Sequence, residues 1–308
     1  MNFPYIGSGP YCYANAFAML FGMRAPSTAV IEFATGSPFG MQLLGGTLPF
    51  FDPYGWNPER GFDAALDALG WTSDVTRADD EREAIAAAKQ ALRDGPVWIG
   101  PIEMGHLRHQ PGMGGPIGAD HYVVLLDINA EQALMHDPQG YPYATLPVAV
   151  FMAAWRAETI DYGRPFTMRT GFVQTRVVAE DDAIRAAIPH GIRWLARRDA
   201  ADVPPGTFGN GEAALALASM MEAGPDAALR DHLIHFAVRV GARRAADAAT
   251  CLARVGRDGS AGVAWRQAKL IGALQYPLVA HDFPAAAAAL RQLAPTYAEL
   301  LAVLEAGH

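Results

Sequence analysis

The sequence predicts an α+β fold for residues 1–178 and an all-helical fold for residues 179–308. Three observations lead to this division. The first part contains short buried strand patterns, such as PVWIGPIE and HYVVLLD, bounded by turn-forming Gly and Pro residues. It also contains an amphipathic segment, DDEREAIAAAKQALRDG, with acidic residues in its first turn and a glycine after its last. Beyond residue 178 the chain is rich in alanine, with leucines at helical spacing, and we expect a separate helical domain there.

The elements of the first part are predicted in chain order. A buried helix over 13–21 ends at Gly22, and residues 36–60 form a long ordered loop rich in Gly, Pro and aromatic residues. Two helices follow, in GFDAALDALGW and in the amphipathic segment, and then the strand PVWIGPIE. A Gly-rich loop leads into the strand HYVVLLD, a tight turn gives the strand QALMHDP, and PFTMRTGFVQTRVV supplies at least one more. The helices expected in the second part cover 181–198, 211–223, 226–256, 261–279 and 284–305.

Composition excludes several classes of protein. The net charge of −8 argues against nucleic acid as the main partner. No apolar run approaches the length of a membrane span, and no signal-peptide pattern opens the chain. The two cysteines, Cys12 and Cys251, are far apart and predict no disulfide framework. We therefore expect a cytoplasmic protein without a membrane or nucleic-acid partner.

Cys12 occupies a position that suggests reactivity. It stands where a Gly-Pro turn meets the first apolar helix, so its thiol is expected at a helix N-terminus. The helix dipole favours an anion there, and such sites are known for reactive thiolates. The alternative is an inert thiol, because most free cysteines are buried. Cys251, inside the helical segment ADAATCLARVG, is expected in the core.

A base and an orienting carboxylate for Cys12 can be found in one hairpin. The strands HYVVLLD and QALMHDP are joined by a tight turn, and a turn centred near Asn129 pairs residues whose numbers add up to 258. His121 and Asp137 then lie opposite each other at the open end of the hairpin, within side-chain reach. Asp127 competes as the orienting group but lies at the turn end, and His136 points to the opposite face and is expected to be structural.

Four segments together resemble a known family. CYANAFAMLFG, GPVWIGPIEMGHL, ADHYVVLLD and HDPQGYP are similar to the papain-like fold in its bacterial version, as in double-glycine leader peptidases. The closer resemblance is to the butirosin-type acyltransferase group, over residues 5–170, and the lincosamide condensing enzymes are similar in size and catalytic layout. The resemblance implies a papain-like cysteine protease fold, in which a helix carrying Cys packs on an antiparallel sheet carrying His and Asp. It also implies a catalytic triad of Cys12, His121 and Asp137.

The resemblance implies an activity as well. Members of the group move an acyl group from a carrier-protein thioester to an amine. We therefore expect an amide-forming acyltransferase of antibiotic or secondary-metabolite biosynthesis, with an aminoacyl group as donor and an amine, such as an aminosugar, as acceptor. The partner is then an acyl or peptidyl carrier protein, and no cofactor is bound apart from the phosphopantetheine that the carrier brings. A cysteine peptidase or amidase of the same fold and a non-catalytic binding module stay open as alternatives.

The chain departs from the papain-like pattern at the oxyanion hole. Papain-like proteases carry a Gln about six residues before the cysteine, and this chain has Ile6 there. The backbone N–H of Cys12 can supply one donor, and Tyr5, Ser8 and Asn15 are candidates for the second. Thioesters need less activation than peptides, so this departure favours acyl transfer over proteolysis.

Two further groups of residues are candidates for binding. His106 and His109, in HLRHQ, could form a metal pair, but no third ligand lies nearby, so we expect no metal and favour contact with substrate. The candidates for the substrate site are Tyr13, Asp52, Trp56, Glu103 and His106. Because carrier proteins are usually acidic, docking needs a basic patch, although clustered arginines are by default solvated helix faces. The candidates for docking are Arg193, Arg197 and Arg198 in one cluster and Arg239, Arg243 and Arg244 in another.

Overall fold

The computed structural model describes Tyr5, residues 10–197 and residues 203–307. Its helices are α1 (Cys12–Phe21), α2 (Thr28–Ala34), α3 (Pro58–Leu69), α4 (Glu81–Ala91), α5 (Val148–Trp155), α6 (Glu180–Leu195), α7 (Asn210–Ala223), α8 (Ala227–His232), α9 (Val238–Arg254), α10 (Asp258–Gly272), α11 (Gln275–Val279) and α12 (Phe283–Ala306). Its strands are β1 (Gln42–Leu44), β2 (Leu48–Phe50), β3 (Trp71–Thr76), β4 (Val97–Glu103), β5 (Asp120–Ile128), β6 (Gln132–Asp137), β7 (Tyr141–Pro147), β8 (Met168–Gln174) and β9 (Phe208–Gly209).

These elements form two units. The sheet unit consists of Tyr11–Thr28 and Gly70–Arg176, and the helical unit contains Ala29–Leu69 and the described part of Val177–His308. The α+β class and the helical C-terminal region are thereby confirmed. Within the described residues, none of the helices combines the length and the apolar character that crossing a bilayer requires.

The sheet unit is built on a six-stranded antiparallel sheet in the order β3–β8–β4–β5–β6–β7. Helices cover both of its faces. Phe17 of α1 stacks on Trp98 of β4 with ring centroids 5.1 Å apart, and Trp98 stacks on Tyr122 of β5 at 4.6 Å. Neighbouring residues of a strand point to opposite faces, and Val123 accordingly joins a buried cluster with Phe151 of α5. A core therefore lies on each side of the sheet.

A bulge in β4 positions the end of β5 that carries His121. The pairing of β4 with β5 shifts between Ile99 and Ile102, and Ile102 then pairs with His121. Gly100 lies in the bulge, where an added Cβ would be 2.2 Å from Cδ1 of Tyr122, so a side chain at this position does not fit.

The strands predicted as PVWIGPIE, HYVVLLD and QALMHDP are present as β4, β5 and β6. Three central elements were predictable because their residues are mostly buried and give continuous or alternating apolar patterns. β7 was not predicted, because it lies at the sheet edge, is mostly exposed and contains proline. β3 at the other edge, and helices α2 and α5, were also missed.

Residues 36–60 are not a continuous loop, contrary to the prediction. They contain a hairpin of β1 and β2 that pairs Leu44 with Leu48, and β9 joins β1 on its other side. Gly45 and Gly46 form the turn with φ of 58° and 74°, which is the positive-φ pair that tight hairpin turns require. Strands of three residues are too short to produce a periodic pattern, so the sequence indicated only a stretch rich in Gly, Pro and aromatic residues, which was predicted as a loop.

The helical unit includes residues 29–69, a division that differs from the predicted boundary at residue 178. An ion-pair network inside this unit joins residues 29–69 to the C-terminal helices. Arg244 of α9 donates from Nε to Oε1 of Glu32 at 2.7 Å and from Nη1 to Oδ2 of Asp52 at 3.1 Å. All three side chains are at least nine-tenths buried. A pairing of residues about 200 positions apart leaves no periodic signal in the sequence, whereas the change of composition near 178 coincides with the second segment's start at Val177.

Candidate active site

The carboxylate of Asp137, at the end of β6, accepts four hydrogen bonds. His121 Nε2 lies 2.7 Å from Oδ1, and the backbone N–H of Gln139 donates to the same oxygen at 2.8 Å. His109 Nε2 lies 2.7 Å from Oδ2, to which Gln110 Nε2 also donates at 2.7 Å. The Asp137 side chain is completely buried. A single buried carboxylate is therefore shared between two histidines.

The electrostatics of this cluster fix the proton positions. Burial alone would raise the pKa of Asp137, but hydrogen bonds from His109 and His121, together with the charge interaction with His121, hold it well below its usual range. A carboxylate can only accept hydrogen bonds, so both histidines donate through Nε2. In its neutral form His121 then carries the lone pair on Nδ1, which is the atom available to take up a proton.

The hairpin of β5 and β6 brings His121 and Asp137 together in a register that differs from the predicted one. At the open end Val124 lies opposite His136, so opposing residue numbers add up to 260 rather than 258, and nearer the turn, beyond a bulge between Leu125 and Asp127, they add up to 261. His121 is therefore displaced along the hairpin by two residues and is diagonal to Asp137. A displacement of two keeps both side chains on one face, and diagonal neighbours remain within reach. The predicted contact is confirmed, although the predicted register was wrong.

Cys12 is the first residue of α1 and is half-buried. Helix α1 packs on β5, where the ring of Tyr13 meets the ring of Tyr122 edge-on at 6.0 Å. The residues that directly follow Cys12 and His121 are therefore in contact. Tyr13, a candidate for substrate binding, is 4% exposed, and its ring serves this packing.

Cys251 is the second thiol and is 1% exposed in α9. Burial, together with the nearby charge of Asp247, raises its pKa to about 12. It is therefore protonated and inaccessible at neutral pH, as the sequence predicted. Cys12 is the thiol that a substrate can reach.

Glu103 holds the Gly-rich loop in place rather than binding substrate, contrary to the prediction. Its Oε1 accepts from the backbone N–H of Gly105 at 2.9 Å and of Ile117 at 3.1 Å. Its Oε2 accepts from the backbone N–H of Gly118 at 3.0 Å and from the hydroxyl of Thr159. Burial by itself raises the pKa of Glu103, but these hydrogen bonds outweigh it and lower the pKa. With both oxygens used and 1% of the residue exposed, Glu103 has no surface left for a ligand.

Asp52 and Trp56 belong to the core of the helical unit, and the prediction that they line an acceptor site is wrong. Asp52 accepts from Gln42 Nε2 at 2.7 Å and from Arg244, and it is 6% exposed. Trp56 donates from Nε1 to the carbonyl of Thr35 at 3.1 Å and is 4% exposed. Their polar atoms are hydrogen-bonded to buried groups, so the aromatic segment that carries them packs into the core of the helical unit.

The first predicted docking cluster is only partly described. Arg193 is exposed and its Nη2 lies 3.0 Å from Nδ1 of His190. Arg197 donates to the carbonyl of Gly209 and pairs with Glu212 at 2.8 Å, which offsets its charge. Arg198 lies outside the described residues.

The second cluster loses one member, because Arg244 is 5% exposed and is consumed by the buried ion pairs, so it cannot dock a partner. Arg243 lies 3.6 Å from Asp247 in an ion pair on the same helix. Arg239 is exposed and donates to the carbonyl of His235. Docking through the remaining arginines stays a prediction.

His106 lies in a 3-10 turn, Met104–His106, and is half-buried; its contact with substrate stays a prediction. Within the described part of the chain, no group of three or more His, Cys, Asp or Glu side chains is arranged to hold a metal ion. Of the oxyanion candidates, Ser8 lies outside the described residues, as does Ile6 at the position of the missing Gln, and Tyr5 is exposed. Asn15 lies in the first turns of α1, with its backbone N–H bonded to Tyr11.

Sequence reasoning missed two members of the cluster, His109 and Gln110. They were seen only as part of a loop that could bind metal or substrate. Their contact with Asp137 joins residues 27 and 28 positions apart through a loop without periodicity. The single signal in the sequence was a pair of polar side chains in a turn shortly before the His121 strand.

Comparisons with known proteins give one match within the helical unit and one over most of the chain. Residues 204–305 match the model of a family described as "YobF C-terminal domain". The chain is also 28% identical over 247 residues to "Uncharacterized protein YobF" of Bacillus subtilis (strain 168), a match that covers 79% of each chain. The family match spans α7 to α12, and the longer match must also include part of the sheet unit, given the 247 residues aligned.

Proposed function

We propose that this protein is an amide-forming acyltransferase in which Cys12 is the nucleophile, His121 the base and Asp137 the orienting carboxylate. The observation that carries the proposal is the contact of His121 Nε2 with Asp137 Oδ1 at 2.7 Å. The next residue of the strand, Tyr122, is the one that contacts Tyr13 of α1, which directly follows Cys12. A cysteine at a helix start, with a histidine held by a carboxylate on the facing strand, is the arrangement that cysteine acyl-transfer chemistry uses. A papain-like fold is part of this proposal.

The first half-reaction transfers the acyl group to the enzyme. Nδ1 of His121 takes the proton of the Cys12 thiol, and the sulfur attacks the carbonyl carbon of a thioester carried on phosphopantetheine. The carbonyl electron pair moves to oxygen, and amides of the first turn of α1, which have no acceptor inside the helix, can donate to this oxyanion. When the intermediate collapses, the carrier sulfur leaves and takes the proton from His121. The products are an acyl–Cys12 thioester and a free carrier thiol.

The second half-reaction forms the amide. A neutral amine attacks the acyl–Cys12 carbonyl, and Nδ1 of His121 accepts the amine proton as the C–N bond forms. The Cys12 sulfur leaves and is reprotonated from His121. Asp137 keeps the His121 ring oriented through Nε2 and stabilises the imidazolium in both halves. Its low pKa means that the proton stays on His121.

A thioester donor is favoured by the oxyanion hole. By resemblance to papain-like proteases, a Gln that donates to the oxyanion is expected at the position of Ile6. Without this donor the site is less able to activate a stable peptide bond. A thioester carbonyl is more reactive and tolerates a weaker oxyanion hole. A peptidase or amidase with the same three residues is the alternative outcome of the experiment below.

The test uses aminoacyl thioesters of N-acetylcysteamine and of a phosphopantetheinyl carrier protein, with intact-protein mass spectrometry. We expect an acyl mass on the wild type and on Cys251→Ala, and none on Cys12→Ala. Addition of an amine, such as an aminosugar, should discharge the adduct with formation of the amide. Full turnover by Cys12→Ala would indicate direct attack of the amine on the thioester, and release of free amino acid that no amine diverts would indicate a hydrolase.

A further inference from the structure

The mechanism above uses one oxygen of Asp137, and the other oxygen is occupied by groups to which that mechanism gives no role. Oδ2 accepts from His109 Nε2 and from Gln110 Nε2, each at 2.7 Å. The His109 side chain is nine-tenths buried, and its Nδ1 has no hydrogen-bond partner among the described residues. The His109 ring is therefore placed for its contact with the carboxylate and with Tyr141, whose ring it meets edge-on at 5.3 Å.

The loop that brings His109 to Asp137 is held in its conformation by hydrogen bonds and close backbone contacts. Glu103 gathers three backbone N–H groups of this loop, and the close approach at Gly105, where an added Cβ would lie 2.0 Å from the Gly115 carbonyl oxygen, excludes any side chain. Leu107, between Glu103 and His109, is completely buried. Several independent contacts thus fix the two donors on Oδ2.

Sharing a carboxylate has a definite electrostatic consequence. Each hydrogen bond that stabilises the anion reduces the negative charge available to the remaining donors. Asp137 must stabilise the His121 imidazolium, and the imidazolium in turn stabilises the Cys12 thiolate. Donors on Oδ2 therefore weaken the thiolate–imidazolium pair relative to a site in which Asp137 serves His121 alone.

We propose that His109 and Gln110 are positioning residues of the Cys12 site that hold Asp137 and share its charge, so that His121 remains neutral enough to act as a base toward the acceptor amine. This inference rests on the proposed function. Its chemistry fits amide formation: in the acyl-enzyme Cys12 carries no charge, the amine requires a neutral imidazole, and an unshared Asp137 carboxylate would favour the imidazolium, which cannot accept the amine proton. The shared carboxylate sets the balance between nucleophile and base.

The ionisable side chains near His109 come from its own loop, which carries His106 and Arg108, and from three strands. Asp137 reaches it from β6 and Tyr141 from β7, and His121 lies across the carboxylate on β5. Helix α5, which packs against the turn before His109, contains no ionisable side chain.

The experiment measures the rate of Cys12 alkylation by iodoacetamide between pH 5 and 9, which requires no acyl substrate. The rate follows the thiolate fraction, so its pH midpoint reports how well the imidazolium is stabilised. Asp137→Asn and His121→Ala should move the midpoint upward, because the thiolate loses its support. His109→Phe, which keeps a ring beside Tyr141, and Gln110→Leu should each move it downward, by about half a pH unit to one unit.

The opposite sign separates charge sharing from a merely structural role. If His109 only kept Asp137 in place, His109→Phe would misplace the carboxylate and shift the midpoint upward, as Asp137→Asn does. His109→Gln restores a neutral donor and should return the midpoint toward the wild-type value. His136→Gln, one residue from Asp137 on the opposite face, is the matched control and should shift nothing. Circular dichroism and melting temperature establish that each variant is folded, and Gln110→Leu carries the test if His109→Phe is not.

The outcomes distinguish this inference from the function on which it rests. If His121→Ala and Asp137→Asn leave Cys12 alkylation unchanged, the proposed Cys12–His121–Asp137 unit is wrong. If those two variants raise the midpoint while the variants of His109 and Gln110 leave it unchanged or raise it, charge sharing is wrong and the proposed function stands.

Discussion

Replacing Arg244 with Met should strongly destabilise the helical unit. Arg244 is the partner of two buried carboxylates, Glu32 and Asp52, and its guanidinium carbon lies 5.4 Å from the ring centre of Trp56. Methionine keeps a long apolar stem and fills much of the same space. The substitution therefore removes the charge and its hydrogen bonds with little loss of packing.

The expected cost follows from the burial of the partners. The side chains of Glu32 and Asp52 are 0% and 8% exposed, so water cannot replace the lost guanidinium. Removing one partner of a buried ion pair costs about 3–5 kcal/mol. Ser37 still donates to Glu32 at 2.8 Å and Gln42 to Asp52 at 2.7 Å, so the carboxylates keep at least one donor each. We therefore expect a loss of about 3–5 kcal/mol, a large fraction of the stability of an ordinary domain.

Hydrogen exchange measured by mass spectrometry resolves this effect along the chain. Peptides from α2, from the segment that carries Asp52 and from α9 should exchange about a hundred-fold to several-thousand-fold faster in Arg244→Met, because each 1.4 kcal/mol corresponds to a factor of ten. Arg239→Met, on the exposed side of the same helix, is the matched control and should change stability by less than about 0.5 kcal/mol.

A second substitution tests the cause. Glu32→Gln in the Arg244→Met background removes one uncompensated charge and should recover part of the lost protection. If Arg244→Met exchanges like Arg239→Met, the buried network does not hold residues 29–69 to the helical unit, and the reasoning is refuted.

Three further outcomes are expected. The folded-state pKa of Asp137 lies below its ordinary value of 3.8, so the stabilisation from its charge is fully present above that pH and is lost as the pH falls below it. The difference in free energy of unfolding between wild type and Asp137→Asn, measured with urea, should therefore shrink below about pH 4. A difference that grows on acidification would contradict this. Burial lowers the pKa of His232, so the wild type should lose stability as the pH falls below the ordinary value of 6.5. His232→Phe gives up the hydrogen bond to Pro49, at a cost of about 1 kcal/mol, and should lack this pH dependence in thermal melts at pH 7.5 and 5. An unchanged pH dependence in the variant would count against this explanation. Peptide mapping after iodoacetamide treatment of the native protein should find Cys12 modified and Cys251 intact until urea is added. The reason is that burial raises the pKa of Cys251 to about 12. Modification of Cys251 in the native protein would show that its helix opens.

The fold class and the pairing of His121 with Asp137 could be predicted because both rest on local patterns. β5 and β6 carry buried residues at regular spacing and are joined by a short turn, in which Asn129 accepts hydrogen bonds from the N–H groups of Glu131 and Gln132. The register at the open end was off by two residues, and a bulge between Leu125 and Asp127 shifts the pairing by one more residue nearer the turn. The predicted contact survived because side chains alternate with a period of two and the offset at the open end is even. An error of one would have placed Asp137 on the other face of the sheet.

The contacts made by residues of irregular or distant segments could not be predicted. Asp52 and Trp56 come from a segment whose aromatic and polar composition suggested a ligand site, but the residues that satisfy them, Arg244 among these, lie far away in the sequence. A charged residue in a Gly-rich segment is predicted to be exposed to solvent unless its partner is known. The same limitation applies to Glu103, whose partners are backbone N–H groups that carry no sequence signal.

Two buried carboxylates of the sheet unit, Glu103 and Asp137, are linked through the loop before β5, and this arrangement explains why residue 105 is glycine. Glu103 must collect amides from both ends of the loop, which requires the backbone to turn tightly and to approach itself closely at Gly105. The loop that results presents His109 to Asp137, and Asp137 in turn orients His121. Gly105 therefore serves the site indirectly, because it allows Glu103 to shape the loop that brings His109 to Asp137, the carboxylate on which the proposed base depends.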